Sequence, residues 1–313
     1  MKVYDLIIIG AGPAGLSAGI YAGRAMLDTL IIEQGQDGGQ IVQTAEIENY
    51  PGSDAVESGP TLVDKMIAQT QKFGIEKIYG TVTQVELEGK TKTVICDSGT
   101  FQAKTLIIAG GASIKPIGCI GEDTFLGRGL SHCATCDAPF FRGIEVYVVG
   151  GGDTALEEAG YLTKFARKVT VIHRRDEFRA AKSIQEKAFR NEKIHFLYNS
   201  VIKEIKGDGL IESMLVENVK DGTITEIKAD PNDGTFGIFG FIGYKPATEL
   251  YKDKLNINDA GYLITCENMK TNIDGVFAAG DIREKTLRQV VTAAADGAIA
   301  AVQAEKYIES LDE

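Results

Sequence analysis

Two glycine-rich loops, each between an apolar strand pattern and a helix pattern, constrain the fold of this 313-residue sequence more than any other feature. The first, at residues 10–15, follows an apolar run at 3–9 and precedes a helical pattern at 16–25. The second, at residues 150–155, follows an apolar run at 145–149. A strand, a glycine turn and a helix in this order are typical of the βαβ unit that binds a dinucleotide. The sequence therefore predicts two Rossmann-like units.

The glycines of the first loop have separate roles in such a unit. Gly10 permits the tight turn, Gly12 lets the backbone approach a pyrophosphate, and Gly15 lets the helix pack closely on the strand. A second apolar strand pattern ends at Glu33, whose carboxylate can accept hydrogen bonds from a ribose 2′-hydroxyl. Because this acid disfavours a 2′-phosphate, we expect FAD or NAD(H) here. A purely structural glycine turn is the alternative.

The second loop has different chemistry at the corresponding position. The first glycine and the acid of the first unit are 23 positions apart, and the same spacing separates Gly150 from His173. Two arginines, Arg174 and Arg175, follow at once, and Arg179 comes four residues later. Guanidinium groups suit the oxygens of a 2′-phosphate, so the second unit is predicted to bind NADPH. The alternative is a solvent-exposed basic start of a helix.

A cysteine pair lies between the two loops. Cys133 and Cys136 are separated by two residues, so they can close a small disulfide ring or open it to a dithiol with little backbone movement. Such rings are usually more oxidising than structural disulfides, and one thiol tends to have a lowered pKa. Asp137 follows directly and can supply or remove a proton, or else cap a helix. A disulfide needs an electron source, and the two nucleotide sites can provide it.

Composition excludes several other classes of protein. A net charge of −11 argues against binding to nucleic acid and to an anionic membrane surface. The five cysteines are an odd number and mostly isolated, which is not typical of a secreted disulfide framework. No targeting segment and no apolar run long enough to span a bilayer is apparent, so we expect a cytoplasmic protein.

Two Lys-Pro dipeptides mark the expected domain boundaries. Lys115-Pro116 follows the strand pattern that closes the first half of the chain, and Lys245-Pro246 follows the last strand pattern after the second loop. We interpret both as hinges around an inserted domain. The prediction is an α/β fold of two Rossmann-like three-layer nucleotide-binding domains. An NADPH domain, residues 115–245, carries the cysteine pair and is inserted into a discontinuous FAD domain, residues 1–114 and 246–313.

These motifs, in this order over almost the whole chain, resemble the bacterial low-molecular-weight thioredoxin reductases. The resemblance rests on the CATCD core, the first glycine loop with its acid, Gly38-Gly39-Gln40, Glu48-Asn49-Tyr50-Pro51-Gly52, the GGGDTA loop with HRRxxxR, and the terminal GDxR and RQV segments. One departure is Ala247, where the family often has asparagine; it lies in a predicted hinge.

The resemblance implies a homodimer that moves electrons from NADPH through FAD to the Cys133–Cys136 disulfide, and then to thioredoxin or a thioredoxin-like dithiol protein. It implies that Cys136 faces the flavin and that Cys133 attacks thioredoxin. The FAD site would comprise Gly10, Gly12, Pro13, Ala14, Gly15, Glu33, Gln34, Gly39, Gln40, Asn49, Val82, Ala109, Gly110, Gly280, Asp281, Arg288, Gln289 and Val290. The NADPH site would comprise Gly151, Gly152, Asp153, Thr154, His173, Arg174, Arg175 and Arg179.

The position of the cysteines has a geometric consequence. Cys136 and Gly150 are only 14 positions apart, so the disulfide and the NADPH loop belong to one inserted domain. Nicotinamide and disulfide would then compete for the same flavin, and a disulfide packed on flavin could not reach a protein substrate. We therefore expect the inserted domain to rotate about the two Lys-Pro hinges, which the resemblance also implies.

Three other functions would also use a flavin or a CxxC pair. A flavin reductase fed by ferredoxin, or a flavin dithiol oxidase that passes electrons to oxygen, would not need the arginines after the second unit. A non-catalytic metal-binding or redox-sensing module is a third alternative, although a zinc site needs four ligands and no second CxxC exists. The larger disulfide reductases carry a CxxxxC pair shortly after the first ribose acid, and residues 34–60 contain no cysteine.

Overall fold

The computed structural model describes residues 2–44, 47, 49–54 and 57–311. Glu48, part of one motif that carries the resemblance, lies outside the described residues. The chain forms two compact units, one of Met1–Ser113 with Lys245–Glu313 and the other of Ile114–Tyr244. In the described part of the chain, no helix combines the length and the apolar character that crossing a bilayer requires.

Both units combine strand–helix–strand segments with runs of consecutive strands. The first segment of the first unit contains β1 (Val3–Ile9), α1 (Pro13–Arg24), β2 (Thr29–Glu33), α2 (Gly59–Lys72), β3 (Glu76–Tyr79), β4 (Val82–Glu86), β5 (Lys92–Cys96), β6 (Gly99–Ile108) and β7 (Ala112–Ile114). The second unit contains α3 (Glu122–Phe125), β8 (Leu130–Ser131), α4 (Ala134–Asp137), β9 (Glu145–Gly150), α5 (Asp153–Leu162), β10 (Lys168–Ile172), α6 (Lys182–Phe189), β11 (Ile194–Leu197), β12 (Ser200–Lys206), β13 (Ser213–Asn218), β14 (Ile224–Lys228) and β15 (Gly237–Phe241). Strand β16 (Tyr244–Pro246) begins at the last residue of the second unit and ends in the first. The chain then adds β17 (Val276–Ala278) and α7 (Val290–Glu309) to the first unit.

A seven-stranded sheet forms the centre of the first unit, in the order β3-β2-β1-β6-β5-β4 with β17 also paired to β6. Strands β3, β2, β1, β6 and β17 are parallel, and β4 and β5 join as an antiparallel pair. Leu6, Ile7 and Ile8 of β1 are fully buried, as expected for a parallel strand that is covered on both faces. The carboxyl ends of β1 and β2 therefore meet at one edge of the sheet, where the first glycine loop begins.

A five-stranded parallel sheet forms the centre of the second unit, in the order β11-β10-β9-β15-β8. A separate antiparallel sheet, in the order β12-β13-β14, belongs to the same unit. Helix α5 follows β9 as α1 follows β1, so the second glycine loop again lies at the carboxyl end of a central strand. The predicted α/β class with two Rossmann-like units is confirmed.

The first helix begins earlier than the sequence pattern indicates. The apolar periodicity predicts a start at Leu16, whereas α1 begins at Pro13. Proline is well suited to the first helical position, because its missing N–H would have no partner there and its fixed φ is already helical. The helix therefore starts directly at the glycine loop, and its free N–H groups point toward that loop.

The two segments that connect the units pair with each other. Strand β7 lies beside β16 as a two-stranded ribbon. Two further backbone bonds extend it: the amide of Lys115 donates to the Gly243 carbonyl at 3.0 Å, and that of Ala247 donates to the Gly111 carbonyl at 3.1 Å. The chain thus enters and leaves the second unit through adjacent, hydrogen-bonded segments.

Helix α7 packs on α1 through small residues. A Cβ at Gly297 would lie 2.0 Å from the carbonyl oxygen of Ala14, so the helices approach closely only because this side chain is absent. We expect Gly297→Ala to lower the free energy of unfolding by about 1–3 kcal/mol, since backbone must move to admit the methyl group. Gly160→Ala in α5 is the matched control, because a Cβ there meets nothing within 4 Å.

The control should raise the free energy of unfolding by about 0.4–1 kcal/mol through reduced freedom of the unfolded chain. Urea denaturation of both variants and the parent measures the two effects. Equal changes in the two variants would contradict the close packing of α1 on α7.

Candidate functional site

The first glycine loop is shaped by two close backbone approaches. Gly10 has φ +105°, and a Cβ there would lie 2.5 Å from the carbonyl oxygen of Ala109. A Cβ at Gly15 would lie only 1.8 Å from the carbonyl oxygen of Gly10. Only glycine satisfies both positions, so the sequence-based roles of these residues in the turn and in helix packing agree with the geometry.

Gly12 differs from its neighbours because a side chain there would meet no protein atom. It is the N-cap of α1, its backbone is extended, and no side chain caps the helix. A Cβ at Gly12 would have nothing within 4 Å, in contrast to Gly10 and Gly15. Pro13 contributes no N–H, but the uncapped N–H groups that follow it in the first turn of α1, with their partial positive charge, form a cradle that fits a pyrophosphate.

The acid at the end of β2 is fixed beside this loop. Glu33 accepts hydrogen bonds from the amide of Ala11 at 2.6 Å and from that of Gly35 at 2.8 Å. Each carboxylate oxygen has a second lone pair, so Glu33 keeps acceptor capacity for a ribose hydroxyl. Gln34 follows at the exposed edge of the sheet.

The turn that contains the next predicted residues lies against the same loop. Gly38 and Gly39 both have positive φ, and the Gly38 amide donates to the Ala11 carbonyl at 2.8 Å. A Cβ at Gly39 would lie 4.0 Å from the α-carbon of Gly12. The side-chain amide of Gln40 donates to the carbonyl of Ala112.

Residues distant in sequence complete this edge of the first unit. The Asn49 side-chain amide donates to Oε1 of Gln289, the N-cap of α7, at 3.0 Å. Ala109, next to Gly110, donates its amide to the Ile9 carbonyl at 2.8 Å and so closes the sheet behind the first loop. Val290 begins α7, and Val82 begins β4 as a half-buried residue.

A buried carboxylate oxygen near the start of α7 has no partner. Oδ1 of Asp281 is buried without a hydrogen bond among the described residues. Burial raises the pKa of Asp281, and the positive charges of Lys285 and Arg288 oppose that shift. Gly280, with φ +78°, places the aspartate in this position. A buried acceptor without a donor requires explanation in a native protein, and a ligand hydroxyl would satisfy it. This part of the first unit therefore fits FAD.

A charged cluster behind Asp281 was not identified from the sequence. Asp296, buried in α7, accepts from the Gly280 amide at 3.0 Å and pairs with Lys285 at 2.8 Å and Arg283 at 3.3 Å. The cluster fixes the turn that carries Asp281. Its one available signal was a single aspartate within the alanine-rich pattern of α7.

The second glycine loop repeats the geometry of the first. A Cβ at Gly150 would lie 2.6 Å from the Phe241 carbonyl oxygen, and one at Gly151 would lie 2.2 Å from the ring of His173. Gly152 is the N-cap of α5 without a side-chain cap, and a Cβ there would meet nothing within 4 Å. The open cradle therefore lies at the third glycine, and it fits a second pyrophosphate.

The loop is also tied to the segment that carries the arginines. Oδ1 of Asp153 accepts from the Ala181 amide at 2.7 Å, and the Arg179 amide donates to the Gly151 carbonyl at 2.8 Å. Thr154, in the first turn of α5, is exposed. The arginine segment and the glycine loop thus form one structural feature.

The structure separates the histidine from the three arginines. His173 is only 6% exposed, and its Nε2 lies 3.1 Å from the Glu177 carbonyl oxygen. Burial lowers the pKa of His173, which favours the neutral imidazole. Arg174, Arg175 and Arg179 are exposed, and among the described residues none pairs with a carboxylate. His173 therefore lies behind the loop, and the arginines supply the accessible positive charge.

The two predicted redox cysteines form a disulfide. Cys133 is the N-cap of the short helix α4, and its sulfur is bonded to that of Cys136 with an α-carbon separation of 5.3 Å. Asp137 is adjacent and half-buried, and burial raises the pKa of its carboxyl. The structure thus brings the three predicted catalytic residues together in the second unit.

The remaining neighbours hold the disulfide segment in place. Nδ1 of His132 lies 2.9 Å from the Gly240 carbonyl oxygen, and a Cβ at Gly240 would lie 2.8 Å from the same ring. His132 is therefore packed on β15. Ser131, for which no sequence motif indicates a role, donates to Oδ2 of Asp137. No sequence spacing indicated that contact.

Residues 4–297 match the family described as pyridine nucleotide-disulphide oxidoreductase. A thioredoxin reductase of Peptoclostridium acidaminophilum is 58% identical over 99% of this chain and 98% of that protein. The solved thioredoxin reductase from Streptococcus pyogenes MGAS5005 is 47% identical with a TM-score of 0.92, and it covers 98% of this chain and 99% of its own. The Lactococcus lactis thioredoxin reductase, solved in an "FR conformation", is 45% identical with a TM-score of 0.66 at 98% and 99% coverage.

Two single substitutions in the first loop distinguish a ligand cradle from a structural turn. Gly12→Ala adds a methyl group where no protein atom lies within 4 Å, so the cofactor-free protein should keep its unfolding temperature. The same methyl group fills the cradle, and we expect the bound dinucleotide content of the purified protein to fall at least about tenfold.

Gly15→Ala should instead lower the unfolding temperature of the cofactor-free protein, because its Cβ would overlap the Gly10 carbonyl oxygen. Absorbance of the released dinucleotide and thermal unfolding measure the two quantities separately. A Gly12→Ala protein with full dinucleotide content would show that this loop is only a structural turn.

Proposed function

The chain belongs to the pyridine nucleotide-disulphide oxidoreductases and, within them, to the thioredoxin reductases, and from this premise we propose which residues carry out the reaction. The enzyme passes electrons from NADPH through FAD to the Cys133–Cys136 disulfide and then to thioredoxin. The observation that supports these assignments best is the disulfide ring in the unit that also holds the arginine-marked loop.

FAD is held by the first unit in this proposal. The pyrophosphate lies over Gly12 at the start of α1, a ribose hydroxyl reaches Glu33, and Asp281 accepts a hydroxyl of the cofactor. When bound, FAD accepts a hydride from NADPH and passes two electrons to a disulfide. The glycine turn of Gly39 and the Asn49–Gln289 pair complete the surroundings of the cofactor.

NADPH is held by the second unit. Its pyrophosphate lies over Gly152 at the start of α5, and its 2′-phosphate contacts Arg174, Arg175 and Arg179. The resemblance places His173 in the same site as these arginines, but we assign it a different role. Its buried, neutral ring fills the space beside Gly151 and so supports the glycine loop from behind.

Thiol exchange with the protein substrate is assigned to the cysteine pair. Cys133 attacks the thioredoxin disulfide to give a mixed disulfide, and Cys136 then attacks Cys133 to release reduced thioredoxin. Asp137 supplies the proton that each leaving thiolate needs, and its burial favours the protonated acid required for that role.

Alternation between two states is part of the proposal. The disulfide and the NADPH loop belong to the same unit, so only one of them can be next to the flavin at a time. We assign the movement to rotation about the ribbon of β7 and β16. The two solved relatives have nearly the same identity to this chain but differ in TM-score, so their conformations differ from each other. A homodimer located in the cytoplasm completes the proposal.

The arginines support NADPH as the electron donor in preference to ferredoxin. We expect Arg175→Gln to raise the KM for NADPH about 10- to 100-fold with little change in kcat, because a charge-assisted hydrogen bond to the 2′-phosphate is lost. The KM for NADH, which lacks this phosphate, should not change. Arg190→Gln is the control, since Arg190, the C-cap of α6, is exposed and, within the described part of the chain, forms its ion pair with Glu186 of that helix.

Steady-state kinetics with both nucleotides measures this discrimination. An equal effect of Arg175→Gln on NADPH and NADH would contradict the assigned 2′-phosphate contact.

The two cysteines provide the test of the function itself. Cys133→Ser and Cys136→Ser should each lower thioredoxin reduction by at least about 10³-fold, because no disulfide can form. NADPH-dependent reduction of ferricyanide, which needs only the flavin, should remain. Cys266→Ser is the matched control, because Cys266 is an exposed cysteine that forms no disulfide within the described part of the chain. Normal thioredoxin reduction by either active-site variant would refute the proposed function.

A further inference from the structure

The hydroxyl of Ser131 lies at the centre of the hydrogen bonds that surround the redox disulfide. Ser131 ends β8 and is only 4% exposed. Its Oγ accepts from the Cys133 amide at 3.0 Å and lies 2.5 Å from Oδ2 of Asp137 and 3.4 Å from the Cys133 carbonyl oxygen. One buried side chain therefore contacts both the backbone of the attacking cysteine and the neighbouring acid.

A hydroxyl has one proton, so Ser131 can donate to only one of these two acceptors at a time. When Asp137 is ionised, the proton of Ser131 points to the carboxylate. When Asp137 is protonated, its O–H can donate to Oγ, and the proton of Ser131 turns to the Cys133 carbonyl oxygen. Asp137 therefore keeps its hydrogen bond with Ser131 in both its ionised and its protonated form, and only hydrogen atoms need to move.

The surroundings of Asp137 make this contact important. Burial is the main cause that raises the pKa of its carboxyl, and the hydrogen bond from Ser131 is the opposing cause. No charged side chain among the described residues adds to this shift. Helix α5, which packs against α4, carries Glu157 and Glu158, and the raised pKa of Glu158 comes from burial and from Glu157. His132 on the same segment contacts the Gly240 carbonyl oxygen and lies 4.0 Å from Glu122, and the thiols of the opened disulfide are the other titratable groups next to Asp137 in sequence.

We propose that Ser131 is a positioning residue that holds Asp137 beside the disulfide in both of its proton states during exchange with thioredoxin. The proposal rests on the proposed function. The reduced enzyme begins with a Cys133 thiolate, a Cys136 thiol and protonated Asp137. Attack of Cys133 forms the mixed disulfide, breaks the thioredoxin disulfide and moves the Asp137 proton to the leaving thiolate.

In the second step Asp137 is protonated again. The Cys136 thiol gives its proton to the Asp137 carboxylate and attacks Cys133, which re-forms the ring and breaks the mixed disulfide. Asp137 passes that proton to the second leaving thiolate of thioredoxin. Two electrons have then moved from the cysteine pair to thioredoxin, with one proton from Asp137 and one from the Cys136 thiol, and Asp137 ends the cycle ionised. Ser131 accommodates both states within one cycle.

The test is the pH dependence of kcat/KM for thioredoxin in the FAD-loaded enzyme. Ser131→Ala removes the donor that lowers the pKa of Asp137, so this pKa should rise. Activity that needs protonated Asp137 is lost on the alkaline side, and that limb should move upward by about one pH unit. The maximum kcat/KM should fall about tenfold as the acid loses its position. Ser131→Thr, which keeps the hydroxyl, should restore the limb.

Two comparisons separate positioning from general structural damage. Ser213→Ala removes another buried serine that donates to a carboxylate, that of Glu226 in the separate antiparallel sheet, and should leave the limb unmoved. In an Asp137→Asn background, Ser131→Ala should cause little further loss, since both changes act on the same acid. An unshifted limb in Ser131→Ala, or an equal loss in the asparagine background, would overturn the proposal. Failure of the cysteine variants to lose thioredoxin reduction would refute the function instead.

Discussion

Close approach of backbone to backbone at the glycine loops is the constraint on which the rest of this structure depends. A Cβ added at Gly15 would lie 1.8 Å from the Gly10 carbonyl oxygen, and a Cβ added at Gly150 would lie 2.6 Å from the Phe241 carbonyl oxygen. Both distances are far shorter than van der Waals contact. These approaches bring the start of a helix directly onto the end of a central parallel strand. Only then do uncapped N–H groups, a ribose acid or an arginine segment converge at the same edge of the sheet. The two units share one arrangement at their glycine loops because the constraint is the same in both.

The disulfide ring is held in place by side-chain hydrogen bonds rather than by close backbone approaches. A disulfide between residues three positions apart can open and close with little movement, but its neighbours must be held if one sulfur is to face the flavin and the other a protein. Ser131 and His132 hold the segment from opposite directions, one through Asp137 and the Cys133 amide and the other through the Gly240 carbonyl. The cysteine pair and the side chains that contact it therefore lie within a short segment that follows β8.

The sequence predicted what local spacing encodes and missed what tertiary packing decides. The glycine loops, the acid after β2 and the cysteine pair have fixed spacings, so the α/β class and the redox centre could be predicted. Asp296 pairs with Lys285 and with the Gly280 amide because the fold brings α7 against the turn at Gly280. No regular spacing in the sequence indicates these contacts. The motif places His173 in the NADPH site together with the arginines that follow it. Its ring instead fills the volume left by the absent side chain of Gly151, which only the folded structure reveals.

The paired connections of the second unit have a consequence for how such a chain can be altered. Because Ala112–Ile114 lies beside Tyr244–Pro246, the host unit is interrupted at a single place. A short hairpin loop there would rejoin the host polypeptide if the whole insert were removed, without any rerouting of the seven-stranded sheet. The architecture is thus modular in the genetic sense: one excision or one exchange of a contiguous coding segment replaces the arginine segment and the cysteine pair together.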